Sequence, residues 1–193
     1  MKRLCVFCGS SAGTRPEYAA AAESVGIALA KRKIGLVFGG GRVGLMGITA
    51  DACLREGGDV IGVLPRGLSS KELAHGGLKD LRVVDTMHDR KALMAELSDA
   101  FLALPGGFGT LEEFFEVLTW AQLGIHDKPC ALLNAGGFFD PLLNLIDHSV
   151  EAGFVSPDHR QLLIHATGTD AILDAIAAYR RPNIKRWITP EKS

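Results

Sequence analysis

The sequence predicts an α/β fold, a doubly wound parallel sheet of about seven strands flanked by helices, and three observations carry that expectation. Apolar runs of strand length alternate with stretches of helical period along most of the 193 residues. The strand candidates are rich in Val, Ile and Leu and lack polar alternation, so both faces of the sheet should be covered by helices. Glycine-rich turns follow the strand ends, which is where ligands bind in open sheets of this kind. No Pro/Ser-rich linker or charge block divides the chain. Residues 1–180 therefore read as one Rossmann-like domain and residues 181–193 as a basic tail.

The first strand is expected over residues 3–8 and its helix over 16–32. The turn between them, Gly9-Ser10-Ser11-Ala12-Gly13, fits an ordinary Ser-capped βα connection as well as a ligand contact. A second strand at 34–38 and helix at 45–56 flank Gly39-Gly40-Gly41-Arg42-Val43-Gly44, which matches G-x-G-x-x-G. Asp59 lies twenty residues past the first glycine but opens its strand, and the motif follows the second strand rather than the first. That argues against NAD and leaves backbone contact with a phosphate or ribose. The third strand, 59–64, runs into an irregular stretch bearing Glu72 and His75, which reads as a surface loop, short helix or lid.

A fourth strand at 81–84 precedes a helix expected at 90–97. Arg90 and Lys91 at such a helix start oppose the dipole and call for an anion or carboxylate partner. His88 fits a capping or packing histidine better than an acid or base. The fifth strand, 100–104, delivers Pro105-Gly106-Gly107-Phe108-Gly109-Thr110-Leu111-Glu112-Glu113, with its helix expected over 110–123. Glycines let the backbone approach a ligand, and amides at a helix start favour a phosphate. Glu113 follows Thr110 by about one turn on the same face. Glu112 and Glu116 fit a solvent-facing side, and a carboxylate in a first turn is also favourable with the dipole alone. Strands at 129–133 and 163–166, with helices at 141–152 and 170–179, complete the alternation.

Composition narrows the partner. With 22 acidic and 21 basic residues the net charge is −1, so nothing favours nucleic acid or an anionic membrane, and a small molecule is expected. The N-terminal apolar run is too short for a signal peptide and no stretch is long enough to span a bilayer, which points to the cytoplasm. The four cysteines, at 5, 8, 53 and 130, read as buried reduced thiols, and no His/Asp/Cys cluster asks for a metal. Arg180, Arg181, Lys185 and Arg186 suit a surface or subunit-contact tail.

The motifs together resemble the LOG (Lonely Guy) family. The residues that carry the resemblance are Pro105-Gly106-Gly107-x-Gly109-Thr110-x-x-Glu113, Gly39-Gly40-Gly41-x-x-Gly44-Leu45-Met46-Gly47, Met87-His88-x-Arg90-Lys91 and Thr119-Trp120-Ala121-Gln122-Leu123-Gly124. The family comprises cytokinin riboside 5′-monophosphate phosphoribohydrolases, once described as lysine decarboxylases. The resemblance implies a homodimer, with its site near the subunit interface, that cleaves the N-glycosidic bond of purine nucleoside 5′-monophosphates without a cofactor or metal. It implies Arg90 and Glu113 as catalytic residues. It implies substrate contacts from Gly9, Ser10, Gly39, Gly40, Gly41, Glu72, Met87, Lys91, Pro105, Gly106, Gly107, Phe108, Gly109, Thr110, Leu111, Glu112 and Thr119. Three alternatives stand beside it: a nucleosidase for plain AMP, a non-catalytic carrier resembling molybdenum-cofactor carrier proteins, and a pyridoxal-phosphate decarboxylase using Lys91.

Overall fold

The computed structural model describes residues 1–68 and 74–184. Among them, seven strands form one parallel sheet: Arg3–Phe7 (β1), Gly35–Phe38 (β2), Val60–Pro65 (β3), Asp80–Val84 (β4), Ala100–Ala103 (β5), Cys130–Leu133 (β6) and Leu163–Ala166 (β7). The helices are Pro16–Lys31 (α1), Gly44–Arg55 (α2), Met87–Glu96 (α3), Phe108–Leu123 (α4), Asp140–Glu151 (α5), Pro157–Arg160 (α6) and Thr169–Ala178 (α7). The strand order is β4-β3-β2-β1-β5-β6-β7, the doubly wound arrangement expected from the sequence.

Alternate residues of each central strand feed opposite cores, because side chains on a strand point to opposite faces in turn. Leu4, Val6 and Cys8 join the layer under α1, α2 and α7, whereas Cys5 and Phe7 join the layer under α4 and α5. Cys5 and Cys8 thus face opposite sides of the sheet. All four cysteines are free and buried.

Two helix starts lie two or three residues earlier in the chain than the sequence pattern indicates, and both matter for the site. At α3, Thr86 and Asp89 form a reciprocal capping box: the Asp89 amide donates to Thr86 Oγ1 at 3.0 Å and the Thr86 amide donates to Asp89 Oδ2 at 3.1 Å. The helix therefore begins at Met87, and Arg90 and Lys91 stand a full turn inside it. The expected conflict with the dipole does not arise, since that effect fades beyond the first turn. At α4 the helix begins at Phe108. Glu113 then lies in its second turn, where dipole stabilisation no longer explains a carboxylate.

Short α6 is an addition to the expected pattern, started by Ser156, whose hydroxyl accepts from the His159 amide at 3.1 Å. Arg181, expected in the surface tail, instead ties the chain to the end of α4. Its Nη1 donates to the carbonyls of Ala121 and His126 at 3.0 Å and meets Asp127 at 2.9 Å. Lys185 and Arg186 lie outside the described residues. No helix of the described residues is long and apolar enough to cross a membrane.

Candidate active site

In this strand order the connections leave β1 and β5 in opposite directions, so the loops after these neighbouring strands part and open a crevice at their carboxyl ends. Gly9 ties the crevice together. Its amide donates to the Pro105 carbonyl and its carbonyl accepts from the Leu45 amide, both at 3.0 Å. Gly44, at φ +60°, sets the head of α2 against the Ser10–Ser11 backbone, where any Cβ would collide. The G-x-G-x-x-G run thus joins the β1 and β2 loops.

The β5 loop forms the anion cradle. Gly107 is the N-cap of α4 and offers no side-chain cap, so the first-turn amides have no intrahelical or capping acceptor. A Cβ at Gly106 would strike the buried Thr110 side chain, while Gly107 and Gly109 face open space. The loop is therefore packed below and open above, as a backbone phosphate site requires.

Arg90 and Glu113 stand next to this cradle. Arg90, only 8% exposed, donates through Nε to the Val63 carbonyl within β3 at 3.1 Å. Through Nη1 it pairs with Glu113 Oε1. Burial pushes the Glu113 carboxyl above its ordinary 4.5, and the charge and hydrogen bond of Arg90 pull it partway back. Burial, and after it the nearby Glu113 charge, also raise the thiols of Cys5 and Cys8, which stay neutral.

Gly39 makes room for the cation. A Cβ there would overlap Arg90 Nη2, with Met46 Sδ at ordinary contact distance. Gly39→Ala should displace the guanidinium; with Arg90 in the catalytic role that the resemblance implies, kcat should fall by about a hundredfold, as an ångström-scale misplacement can cost. Steady-state kinetics with a thermal melt would check it; an unchanged kcat would show that the guanidinium position is not critical.

Next in the chain, Lys91 reaches the same helix. Its ammonium meets Glu112 and, at 2.9 Å, Glu116. Burial opposes its charge, but the two carboxylates outweigh that and raise its pKa. Glu116, which the pattern left facing solvent, is in fact 24% exposed and turned toward Lys91.

Other expected site residues are distributed as follows. Gly40 accepts through its carbonyl from the His75 amide at 2.9 Å, and Gly41 pairs with Ala74. His75 is buried rather than on a surface loop: Nε2 lies 3.0 Å from Asp51 Oδ1 and Nδ1 accepts from the Gly77 amide at 3.2 Å. The chain after residue 73 is thus pinned to the glycine loop. Glu72 lies outside the described residues. Met87 and Phe108 are exposed at the starts of α3 and α4, Phe108 at 93%. Ser10 is exposed, Leu111 half-buried, and His88 exposed, its capping role taken by Thr86. Thr119 is not brought to the pair. It lines a groove of about 150 Å³ with Phe115, Leu118 and Ile146, roughly 120° round α4 from Glu113. Sequence reasoning missed the Val63 carbonyl and the packing need at Gly39, neither of which has a sequence signal.

An apolar cavity of about 170 Å³ adjoins the crevice, lined by Gly9, Gly106, Tyr18, Leu45 and Phe138. Among the described residues no group of three or more His, Cys, Asp or Glu is arranged to hold a metal ion.

Comparison with known proteins agrees with the motifs. A family model described as "Possible lysine decarboxylase" matches residues 46–176. A cytokinin riboside 5′-monophosphate phosphoribohydrolase from Rhodococcoides fascians is 52% identical over 182 residues, covering 94% of this chain and 90% of that protein. A protein of the same name from Arabidopsis thaliana is 49% identical over 178 residues, 92% and 84% of the two chains. Among solved structures, the molybdenum cofactor carrier protein of Chlamydomonas reinhardtii superposes with a TM-score of 0.69 at 23% identity, covering 91% of this chain and 95% of that one. The molybdenum cofactor binding protein of Rippkaea orientalis gives 0.69 at 20%, over 92% and 97%. At such identity the structures share the fold alone. Matched over most of its length by that family model and about half identical to these phosphoribohydrolases, the chain belongs to the LOG family.

Proposed function

We propose that the protein hydrolyses the N-glycosidic bond of cytokinin-type nucleoside 5′-monophosphates, releasing the N6-substituted adenine and ribose 5-phosphate. The buried Arg90–Glu113 pair beside an open amide cradle carries this reading. Cleavage builds positive charge on the ribose ring and negative charge on the departing base, so a fixed carboxylate and a fixed cation both favour the transition state. The cradle formed by residues 106–110 takes the phosphate, which supplies binding energy away from the broken bond. Glu113 then serves the C1′ side, by charge or by accepting a proton from the attacking water. Arg90 is a poor acid, because a guanidinium does not give up its proton in a protein. It acts by charge toward the base, and the proton reaches the leaving nitrogen through water.

The phosphoribohydrolases about half identical to this chain, named for cytokinin riboside 5′-monophosphates, support a substituted base. Incubation with AMP, GMP, CMP and N6-isopentenyl-AMP, with free base measured, should rank the last first. Preference for AMP would make the protein a plain AMP nucleosidase. Binding without base release would make it a carrier.

The decarboxylase description fits poorly. A Schiff-base lysine must be neutral to attack, whereas Lys91 is held as an ammonium between two carboxylates.

We also propose a homodimer through the α4–α6 face. Its support is the groove beside Thr119 together with Leu145 and Phe154, exposed at 59% and 88%. Light scattering should give twice the 20.6 kDa chain mass. Phe154→Asp should shift it toward monomer; a monomeric wild type would refute the dimer.

A further inference from the structure

We infer that Lys91 is a clasp between α3 and α4 rather than a ligand of the substrate phosphate, and that Glu116 is the positioning residue that holds it there. The inference rests on the phosphoribohydrolase reading and adds a residue outside the P-G-G-x-G-T-x-x-E run.

Two adjacent cations on α3 face three carboxylates on α4: Arg90 and Lys91 against Glu112, Glu113 and Glu116. On a helix, residues 112, 113 and 116 fall within roughly a third of the circumference. Either cation is therefore close to more than one carboxylate, and the pairing has to be made unique for Glu113 to serve the ribose. Glu116 does this. With Glu112 it takes two of the three ammonium protons of Lys91, so that Lys91 makes no ion pair with Glu113 and reaches it only through space. The hydrogen-bonded ion pair of Glu113 is with Arg90.

Burial supports a positional role. The Lys91 side chain is only 11% exposed. The second carboxylate oxygen of Glu116, Oε2, is buried with no hydrogen-bond partner among the described residues. An exposed glutamate would turn that oxygen to water. Holding it dry is unfavourable, and the ion pair with Lys91 is what offsets it.

Charge argues against phosphate binding by Lys91. An ammonium between two carboxylates carries a local net charge of about −1, which repels a phosphate dianion at close range. Residues 107–109 are exposed at a helix start with no side-chain cap, and the space beside Gly107 and Gly109 is open. The phosphate belongs there.

The test is a double-mutant cycle of Glu116→Gln and Lys91→Met, read as kcat and KM on N6-isopentenyl-AMP and as affinity for ribose 5-phosphate, which has no glycosidic bond to cleave. Each single variant should lower kcat by about tenfold with KM unchanged, and the double variant should lose the same tenfold rather than a hundredfold. Lys91→Arg should keep most of the rate. Ribose 5-phosphate affinity should be unaffected by Lys91→Met. Additive losses, or a weakening of ribose 5-phosphate binding by tenfold or more, would overturn the clasp. If the wild type releases no base from any nucleotide, the phosphoribohydrolase reading fails, while the ribose 5-phosphate affinities still decide between clasp and ligand. Glu116→Gln is nearly isosteric; should it melt early, Lys91→Arg and Lys91→Met carry the comparison alone.

Discussion

Replacing Glu113 by Gln should lower kcat for base release by about a thousandfold in a protein that remains folded, the scale expected when a preorganised charge facing the transition state is removed. Gln keeps the shape and can still accept a hydrogen bond from Arg90, so the loss reports the missing charge. Glu113→Ala is a poorer test. It leaves Arg90 buried without its partner, at a cost of about 3–5 kcal/mol, and mixes stability with chemistry.

The same residue fixes a pH signature. Burial raises the folded pKa of Glu113 above the ordinary glutamate value. If the carboxylate does the work, the acid limb of the wild-type rate lies above the usual glutamate range. The stability sign is opposite. With the folded pKa raised, the native state holds the extra proton in the window just above 4.5. The resulting stabilisation is complete below the unfolded pKa and is lost as pH rises through the folded pKa. Glu113→Gln should abolish that slope in denaturant titrations. Near-normal turnover by the Gln variant would remove Glu113 from the reaction.

Arg90→Met should lower kcat by about a hundredfold, since the proposed mechanism sets this charge toward the departing base. The effect should reach beyond kcat. Without the guanidinium, Glu113 loses the interactions that hold its pKa down, so the acid limb should move to higher pH. Arg90→Lys should recover little, because an ammonium cannot satisfy the Val63 carbonyl and Glu113 with the geometry of the guanidinium fork. An acid limb that stays in place would mean that the pair is not electrostatically coupled in the working enzyme.

Much of the fold was legible because the central strands are buried on both faces: Val6, Val37, Leu102 and Leu132 have no polar neighbour to disguise the run. The candidate site was legible where a single loop supplies it, as at residues 105–113. Helix starts were harder. The Thr86–Asp89 capping box is written in the sequence, but the apolar pattern around it is weak, and the conspicuous Arg90-Lys91 pair drew the start three residues too late. Pairings between helices could not be read. That Glu116 turns to Lys91 rather than to solvent depends on how α3 and α4 lie beside each other, and no local spacing encodes that. Gly39 shows the same limit. Three glycines in a row suggest a ligand's approach, yet what fills the space at the first is the side chain of Arg90, fifty-one positions on.

The most direct measurement is the stoichiometry of product formation from N6-isopentenyl-AMP. The wild type should release one equivalent of N6-isopentenyladenine per ribose 5-phosphate, and the Glu113→Gln, Arg90→Met double variant should release neither above background. Release of inorganic phosphate and the riboside instead, or undiminished base release by the double variant, would contradict hydrolysis of the N-glycosidic bond by this pair.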